Sequence, residues 1–523
     1  YVCKHNGNEL LLSKRKLDTS KPNILVFLAD DLGYGDLRSF DASSKIPTPN
    51  LDYLASDGTV FLDAHSSSGI CSPSRHAFLT GRYHWRSKIF DHLGSYGQPT
   101  IGTSRLTIPK MLKEVGYHTA LIGKWHLGWD WNAIKKKGRK SKYPNDFNWN
   151  QKIPGGPIEQ GGYDYYFGED VINFPPYCWF ENEHVYGKEP TKYFGKEEFD
   201  KFKQKEGTMH HSPGPMVDGW DFYDIMPTLV DKAVKYIQDQ TAPWFLHFSF
   251  PSPHMPIIPN DKFDGSSGAG PYGDFVVELD DAVGQIIDAI KDKKNTLIIF
   301  TSDNGPETIQ DLAYSRAMNY DHWSAAPLRG GKRDIYEGGH RVPLIVTWLD
   351  QVPKGKVSNA IVSQLDIFAT LAAVVEYELP DDAAEDSFNQ LDVFRGIDTE
   401  GPRKHLVYNT IKSEYGIRYN NDVYLKARDG YTSSTPSNAF NSKYGYTKDD
   451  HKNGQLFNFT NDQAQKNNMI KGNYKRVSSS IKDKVDFLEK LLTQIQRNPE
   501  SPRSLPECDA MVHQCSPTID AVL

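Results

Sequence analysis

The apolar positions of the chain repeat in two ways. Asn23-Ile24-Leu25-Val26-Phe27-Leu28-Ala29, Thr119-Ala120-Leu121-Ile122-Gly123, Trp244 to Phe250 and Thr296 to Ser302 are nearly continuous apolar runs. Runs of this kind suit strands buried on both faces of a parallel sheet. Between them, Leu229, Val230, Ala233, Val234 and Ile237 recur at three-to-four spacing, as do Val276, Leu279, Val283, Ile286, Ile287 and Ile290. That period is a helix with one apolar face. Strands alternating with helices predict an α/β fold: a large N-terminal domain, residues 22–377, whose mostly parallel sheet is sandwiched by helices. A further strand, Pro343 to Trp348, and a helix from about Leu365 to Val375 complete it.

The pattern then changes. Residues 378–400 are acidic, contain Pro380 and lack periodicity, so they read as a linker or covering loop. Short runs such as His405-Leu406-Val407-Tyr408, Tyr415 to Tyr419 and Val423 to Lys426 predict a small antiparallel sheet. Ile481, Val485, Leu488, Leu491, Leu492 and Ile495 predict a helix over it, giving a C-terminal α+β subdomain at 401–498. Residues 1–21 read as a surface arm and 499–523 as an irregular tail.

Each long apolar run stops at polar residues. The first ends in Asp30-Asp31, the second leads into Lys124-Trp125-His126, the third into Pro253-His254, and the fourth into Asp303-Asn304-Gly305. Ligands of parallel sheets bind beyond the carboxyl ends of the strands, so these positions should share one rim. Asp30, Asp31, Asp303 and Asn304 offer only oxygen. Adjacent buried carboxylates need a positive partner, and hard oxygen donors select Ca²⁺ or Mg²⁺ over zinc. Singly, an Asp-Asp helix cap and an Asp-Asn-Gly turn explain them as well. Jointly, at strand ends, metal ligation is the better reading.

The net charge of −7 over 523 residues gives no general case for a nucleic-acid partner. No apolar run is long enough to span a bilayer. The chain begins at Tyr1, which suggests an exported protein whose targeting segment has been removed. One local charge run stands out: Lys135-Lys136-Lys137-Gly138-Arg139-Lys140-Ser141-Lys142 is either a solvated loop or a contact for a polyanionic partner. Trp85, Trp129, Trp131, Trp220 and Trp323 are candidates for stacking on a ligand or for core packing.

The remaining stretch is Cys71-Ser72-Pro73-Ser74-Arg75, continuing to Leu79-Thr80-Gly81-Arg82. It reads as a helix entry with Gly81 as a stop, so Cys71 meets the positive end of a helix dipole. This Cys-x-Pro-Ser-Arg pattern followed by Leu-Thr-Gly-Arg resembles the signature of the type I sulfatases, an alkaline-phosphatase-like family. The resemblance implies that Cys71 is oxidised to formylglycine by a generating or maturase enzyme. It also implies that Asp30, Asp31, Asp303, Asn304 and residue 71 hold the divalent cation, usually calcium. Arg75 and Lys124 would orient residue 71 and neutralise the sulfuryl oxygens, with Lys124, His254 and Lys332 binding substrate. His254 would protonate the leaving oxygen, and His126 would deprotonate the second hydroxyl of the hydrated aldehyde so that sulfate is eliminated. With Cys71 set apart, Cys3, Cys178, Cys508 and Cys515 permit two disulfides, with 508 and 515 the nearest pair. Asn458-Phe459-Thr460 is a sequon if the source is eukaryotic.

The expected function is a sulfatase acting on a sulfated carbohydrate, a marine-type galactan or a glycosaminoglycan. A formylglycine-dependent phosphonate or phosphodiester hydrolase is the nearer alternative, and a non-catalytic sulfated-glycan binder the further one.

Overall fold

In the computed structural model, the described residues are 21–498 apart from 202–203, 208–211, 242, 412–413, 428, 433, 447–453 and 471–473. The arm, the tail, Cys3, Cys508 and Cys515 lie outside them.

A ten-stranded sheet forms the large domain. At its centre lie five parallel strands in the order Thr296–Ser302, Asn23–Ala29, Trp244–Ser249, His118–Gly123 and Tyr165–Gly168. The first strand in sequence is therefore an interior one, with Ile24 opposite Phe245 on one side and Leu297 on the other. Its side chains alternate between two cores. Leu25, Phe27 and Ala29 meet the helices Ile225–Asp239 and Gly270–Asp288, while Ile24 and Val26 meet the opposite face with Ile108–Glu114 and Asp366–Val374. Two-sided burial is why no polar residue interrupts the run, each such side chain contributing about 1.5–3 kcal/mol. Leu344–Thr347, the further strand expected near 343–348, pairs antiparallel with Thr296–Ser302.

The smaller unit is a four-stranded antiparallel sheet, His405–Asn409, Tyr415–Tyr419, Asp422–Leu425 and Gln455–Asn458. The helix Ser479–Arg497 lays Val485, Leu488, Leu492 and Ile495 on Val407, Ile417 and Leu456. The same cluster includes Ala77, Tyr83 and Trp85, so this sheet braces the segment that follows Cys71. Residues 378–400 bury Ala383, Ala384, Val393 and Phe394, and Asp386 takes a two-pronged ion pair from Arg86. They cover the large domain as a packed segment. Among the described residues Cys178 is a buried free thiol. Asn458 uses its amide nitrogen to bond Asp422 at 2.7 Å.

Candidate active site at the carboxyl rim of the sheet

The helix Cys71–Thr80 starts immediately after extended Ile70 and ends at Gly81, whose left-handed φ of 61° lets its N–H reach the Ala77 carbonyl. All ten of its residues are buried, and Cys71 itself is 3% exposed. Its first turn, with unsatisfied N–H groups, faces the ends of the central strands.

Three of those strand ends continue their ladder by one step before turning. Asp30 N bonds Ser252 O at 3.1 Å, Asp303 N bonds Ala29 O at 3.0 Å and Lys124 N bonds Ser249 O at 3.0 Å. Asp31 then adopts φ 67°, a left-handed conformation that Asp tolerates better than most side chains and that turns the chain sharply at the rim. Ligand atoms of Asp30, Asp31, Cys71 and His254 lie within 4.8 Å of one another, all buried. Asn304 Nδ2 donates to Asp31 Oδ1 at 2.7 Å, and Asp31 N donates to Asp303 Oδ1 at 3.2 Å, so Asp303 is held beside this set.

Cations close the ring. Lys124 reaches Asp30 Oδ2 at 2.5 Å, Lys332 reaches Asp31 Oδ1 at 2.6 Å, and Arg75 pairs with Asp303 at 2.9 Å while donating to Ser249 Oγ at 2.6 Å. Burial alone would raise the Asp30 carboxyl, but Lys124, His254, Arg75 and Lys332 together hold it below the usual range. Burial, then the charge of Asp30, push Asp303 up to about 7 against Arg75. The Cys71 thiol is pushed up to about 11, chiefly by burial and despite the two lysines. A cysteine here is therefore a thiol at neutral pH, not a thiolate.

Asp30 Oδ1, Asp31 Oδ2 and Asn304 Oδ1 are buried without a hydrogen-bond partner. Orphaned oxygens of hard donors, converging beside residue 71, fit a Ca²⁺- or Mg²⁺-type ion.

The histidines face the same space. His126 donates from Nε2 to the Leu93 carbonyl at 2.8 Å, which leaves Nδ1, buried and unpartnered, as its free lone pair. Burial, then Lys124, lower its proton affinity well below that of an ordinary histidine. His254 donates from Nδ1 to the Met255 carbonyl at 2.6 Å, so Nε2 is the nitrogen offered to the cluster, 3.7 Å from Asp31 Oδ2. A cavity of about 310 Å³ opens over Cys71, His126, His254 and Lys332.

A family model described as sulfatase matches residues 22–377. The chain belongs to the sulfatase family. As a sulfatase it is a sulfuric ester hydrolase, and its relatives act on carbohydrate sulfates. It is 33% identical over 487 residues to an N-acetylgalactosamine-6-O-sulfatase of Bacteroides thetaiotaomicron, covering 87% of this chain and 90% of that protein. It is 31% identical to the N-acetylgalactosamine-6-sulfatase of Sus scrofa over 404 residues, 75% of this chain and 69% of that one. Among solved structures, a 6S-sulfatase from a Bacteroides thetaiotaomicron locus for glycosaminoglycan metabolism superposes with TM-score 0.76 at 30% identity, covering 92% of this chain and all of the other. Another, solved in complex with k-i-k-neocarrahexaose, gives TM-score 0.66 at 25% identity over 96% of this chain and 99% of that one.

Every site residue expected from the sulfatase sequence reaches this rim. Sequence reasoning missed Glu307 and Arg333, which line the cavity and pair at 2.6 Å, Glu307 also lying 3.6 Å from Lys332. The only hint was adjacency, since Arg333 follows Lys332 and Glu307 stands three residues past Asn304. It also missed the cavity wall of His92, Phe174 and Asn173. The tryptophans resolve as packing. Trp85, Trp129, Trp131 and Trp323 are buried, and Trp220 packs against Trp179 at 5.1 Å.

Proposed function

We propose that this sulfatase removes the 6-O-sulfate of N-acetylgalactosamine in a sulfated glycan. In this reading residue 71 is oxidised to formylglycine by a maturation enzyme, and a hard divalent cation, calcium by preference, is held by Asp30, Asp31, Asp303 and Asn304. The protein is exported. The observation that carries the reading is the buried convergence of Asp30, Asp31, Cys71 and His254 at the floor of an open cavity. The names of the relatives support the sugar and the sulfate position.

When bound, the cation supplies Lewis-acid polarisation, and the formylglycine hydrate supplies a hydroxyl nucleophile with a second hydroxyl left for elimination. The Cys71 Sγ marks where that oxygen would stand. Residue 71 as a thiol has neither the thiolate character nor the second hydroxyl, which is the chemical need for the conversion.

The protein's own residues do the rest. Lys124 and Lys332, both buried, face the sulfate oxygens as fixed positive charges that need no reorganisation as charge builds. Arg75 is tied to Asp303 and Ser249 and so fixes the carboxylate that borders residue 71. His254 presents Nε2 on the leaving-group side. Burial lowers the His254 pKa to about 4; an anionic sulfate beside it acts in the opposite direction, favouring the protonated ring that delivers a proton to the departing oxygen. His126 takes the opposite role, its neutral Nδ1 accepting the proton whose loss releases sulfate.

Two measurements test this reading. Peptide mass spectrometry of the segment containing residue 71, from protein made in its native host, should show the aldehyde, and an unmodified thiol would sink the mechanism. Sulfate release should be faster from N-acetylgalactosamine 6-sulfate than from its 4-sulfate or from a matched aryl phosphonate. The reverse order would overturn the substrate assignment.

A further inference from the structure

We propose that the basic hairpin 135–142, with the ring pair Tyr143 and Tyr193, is a second binding surface that holds a sulfated glycan chain outside the catalytic cavity. It rests on the carbohydrate reading above and extends it from a single sugar to a polymer.

Six of the eight residues from Lys135 to Lys142 are cationic, in a chain whose net charge is −7. A merely solvated run needs no fixed backbone, yet this one has it. Lys135 bridges to Phe147 across the hairpin, Lys136 N bonds the Asp146 carbonyl at 2.8 Å, and Arg139 N bonds the Lys136 carbonyl at 3.2 Å. The buried Asp146 carboxylate accepts the N–H groups of Lys142 and Tyr143 at 3.0 Å each. Gly138 and Ser141, with φ of 77° and 58°, make the turn. Lys136, Lys137 and Lys140 are exposed, and Arg139 lies 3.9 Å from Asp146. Like charges fixed within a Debye length of one another repel, and a multiply charged anion relieves that repulsion.

An aromatic platform adjoins the charges. Tyr143 is 51% exposed, its ring 5.2 Å from that of Tyr193, with the Lys142 ammonium 5.3 Å from the Tyr143 centroid. Sugars stack on such rings through their apolar faces, so aromatic rings beside cations suit a sulfated sugar better than a bare inorganic anion.

The platform is continuous with the cavity. Asn173 and Ser212 line the cavity, and the Tyr177 hydroxyl bonds both of their carbonyls, at 3.0 and 2.8 Å. Three residues after Ser212, Pro215 lies in the strand Gly214–Met216, which pairs with Lys192–Phe194 and sets Pro215 opposite Tyr193. Three residues of extended chain reach about 10 Å. The Tyr pair is thus one strand away from the cavity wall, a distance that a few linked sugars cover. Exposed Lys192 lies in the same strand as Tyr193.

The test compares two substrates carrying the same sulfate, chondroitin 6-sulfate polymer and the monosaccharide N-acetylgalactosamine 6-sulfate, in wild type, in the triple variant K136S/K137S/K140S and in Y143A. In the triple variant KM for the polymer should rise roughly tenfold, with a weaker salt dependence. Y143A should raise it less, and both variants should keep kcat and the monosaccharide kinetics. Unchanged polymer KM overturns the proposal, as does an equal loss on the monosaccharide, which would make the hairpin part of the cavity. Equilibrium binding of the polymer to C71A protein, with and without the triple change, reads the surface without catalysis. It keeps failure of this proposal distinct from failure of the sulfatase reading. Single-stranded DNA and phosphatidylserine vesicles serve as controls, and a triple change that weakens all three equally would overturn the assignment to glycan.

Discussion

Two buried clusters flank the segment from Asp63 to Arg75, and the proposed reaction uses only one of them. At the rim, Asp30, Asp31, Cys71 and His254 bring ligand atoms within 4.8 Å. At the seam between the two sheets, His65, Glu337 and His340 do the same. The seam is closed by guanidinium groups. Arg418 grips both oxygens of Asp63 at 2.7 and 2.6 Å, Asp63 accepts from His65 at 2.8 Å, and Arg341 stands 3.5 Å from Glu337. His340 is further covered by Tyr408, ring on ring at 4.0 Å. At the rim Lys124, Lys332 and Arg75 likewise pair with the carboxylates, single oxygens of Asp30, Asp31 and Asn304 keep no hydrogen bond, and a cavity opens above. Spacing of ligand atoms therefore says little by itself. Both clusters are bordered by the protein's own cations and both keep buried oxygens without hydrogen bonds, Glu337 among them, so the opening to a cavity is what sets the rim apart.

The sharpest way to break the comparison is to remove one group from each side. Cys71→Ala should lower kcat/KM on the order of 10⁴-fold or more, with a melting temperature close to wild type. Arg418→Met should do the converse. Leaving Asp63 buried with only His65 and Arg341, at 2.8 and 3.8 Å, costs up to about 3–5 kcal/mol, seen as a drop in denaturation midpoint, while the molecules that stay folded keep their kcat. Similar losses of both properties in both variants would erase the distinction.

Ion content sharpens it further. Elemental analysis should find one divalent ion per chain, held at the rim, and chelation should lower both activity and melting temperature, reversibly with Ca²⁺. At a hundredfold excess over Kd the ion contributes about 2.7 kcal/mol. A second tightly bound ion, kept in D31N protein, would assign metal to the seam instead.

The smallest expected effect is on acid stability. His84 bridges the units through Asn409 at 2.5 Å, and burial pushes its pKa down to about 4. Unfolding returns it to the ordinary value near 6.5, so the unfolded chain binds more protons below that pH. Its contribution is complete above pH 6.5 and is lost as the pH falls toward 4, on the order of 1–3 kcal/mol. The midpoint of His84→Gln should therefore depend less steeply on pH between 6.5 and 4.

The rim was largely legible in the sequence because two-sided burial forces unbroken apolar runs, and whatever polar residue ends such a run stands at the sheet's edge. Asp30, Lys124, His254 and Asp303 were all located by that rule. The seam was not, because Asp63 and Arg418 are 355 positions apart and neither ends a long strand. Arg333 and Glu307 escaped for a related reason, their pairing being made by the fold between two loops. Trp129 and Trp131 stayed open between stacking and packing because a loop's composition does not reveal which side faces inward. Both pack beyond the edge of an apolar run, against Phe180 at 5.3 and 6.1 Å. The strand Gln455–Asn458 is too short and too polar to signal itself before its neighbours form.

The central position of the first strand also sets a timetable. Asp30 and Asp31 emerge early in synthesis, but the strand that pairs beside them and carries Asp303 emerges about 270 residues later. Cys71 itself precedes that strand end by about 230 residues, and at 5–20 residues per second that is roughly 12–46 s during which Cys71 has no completed sheet above it. Once the strands close, the thiol is 3% exposed at the base of the cavity. If residue 71 is converted as proposed, the converting enzyme has that interval in which to grip the segment, and slowing translation between residues 80 and 300 should raise the fraction of chains it reaches.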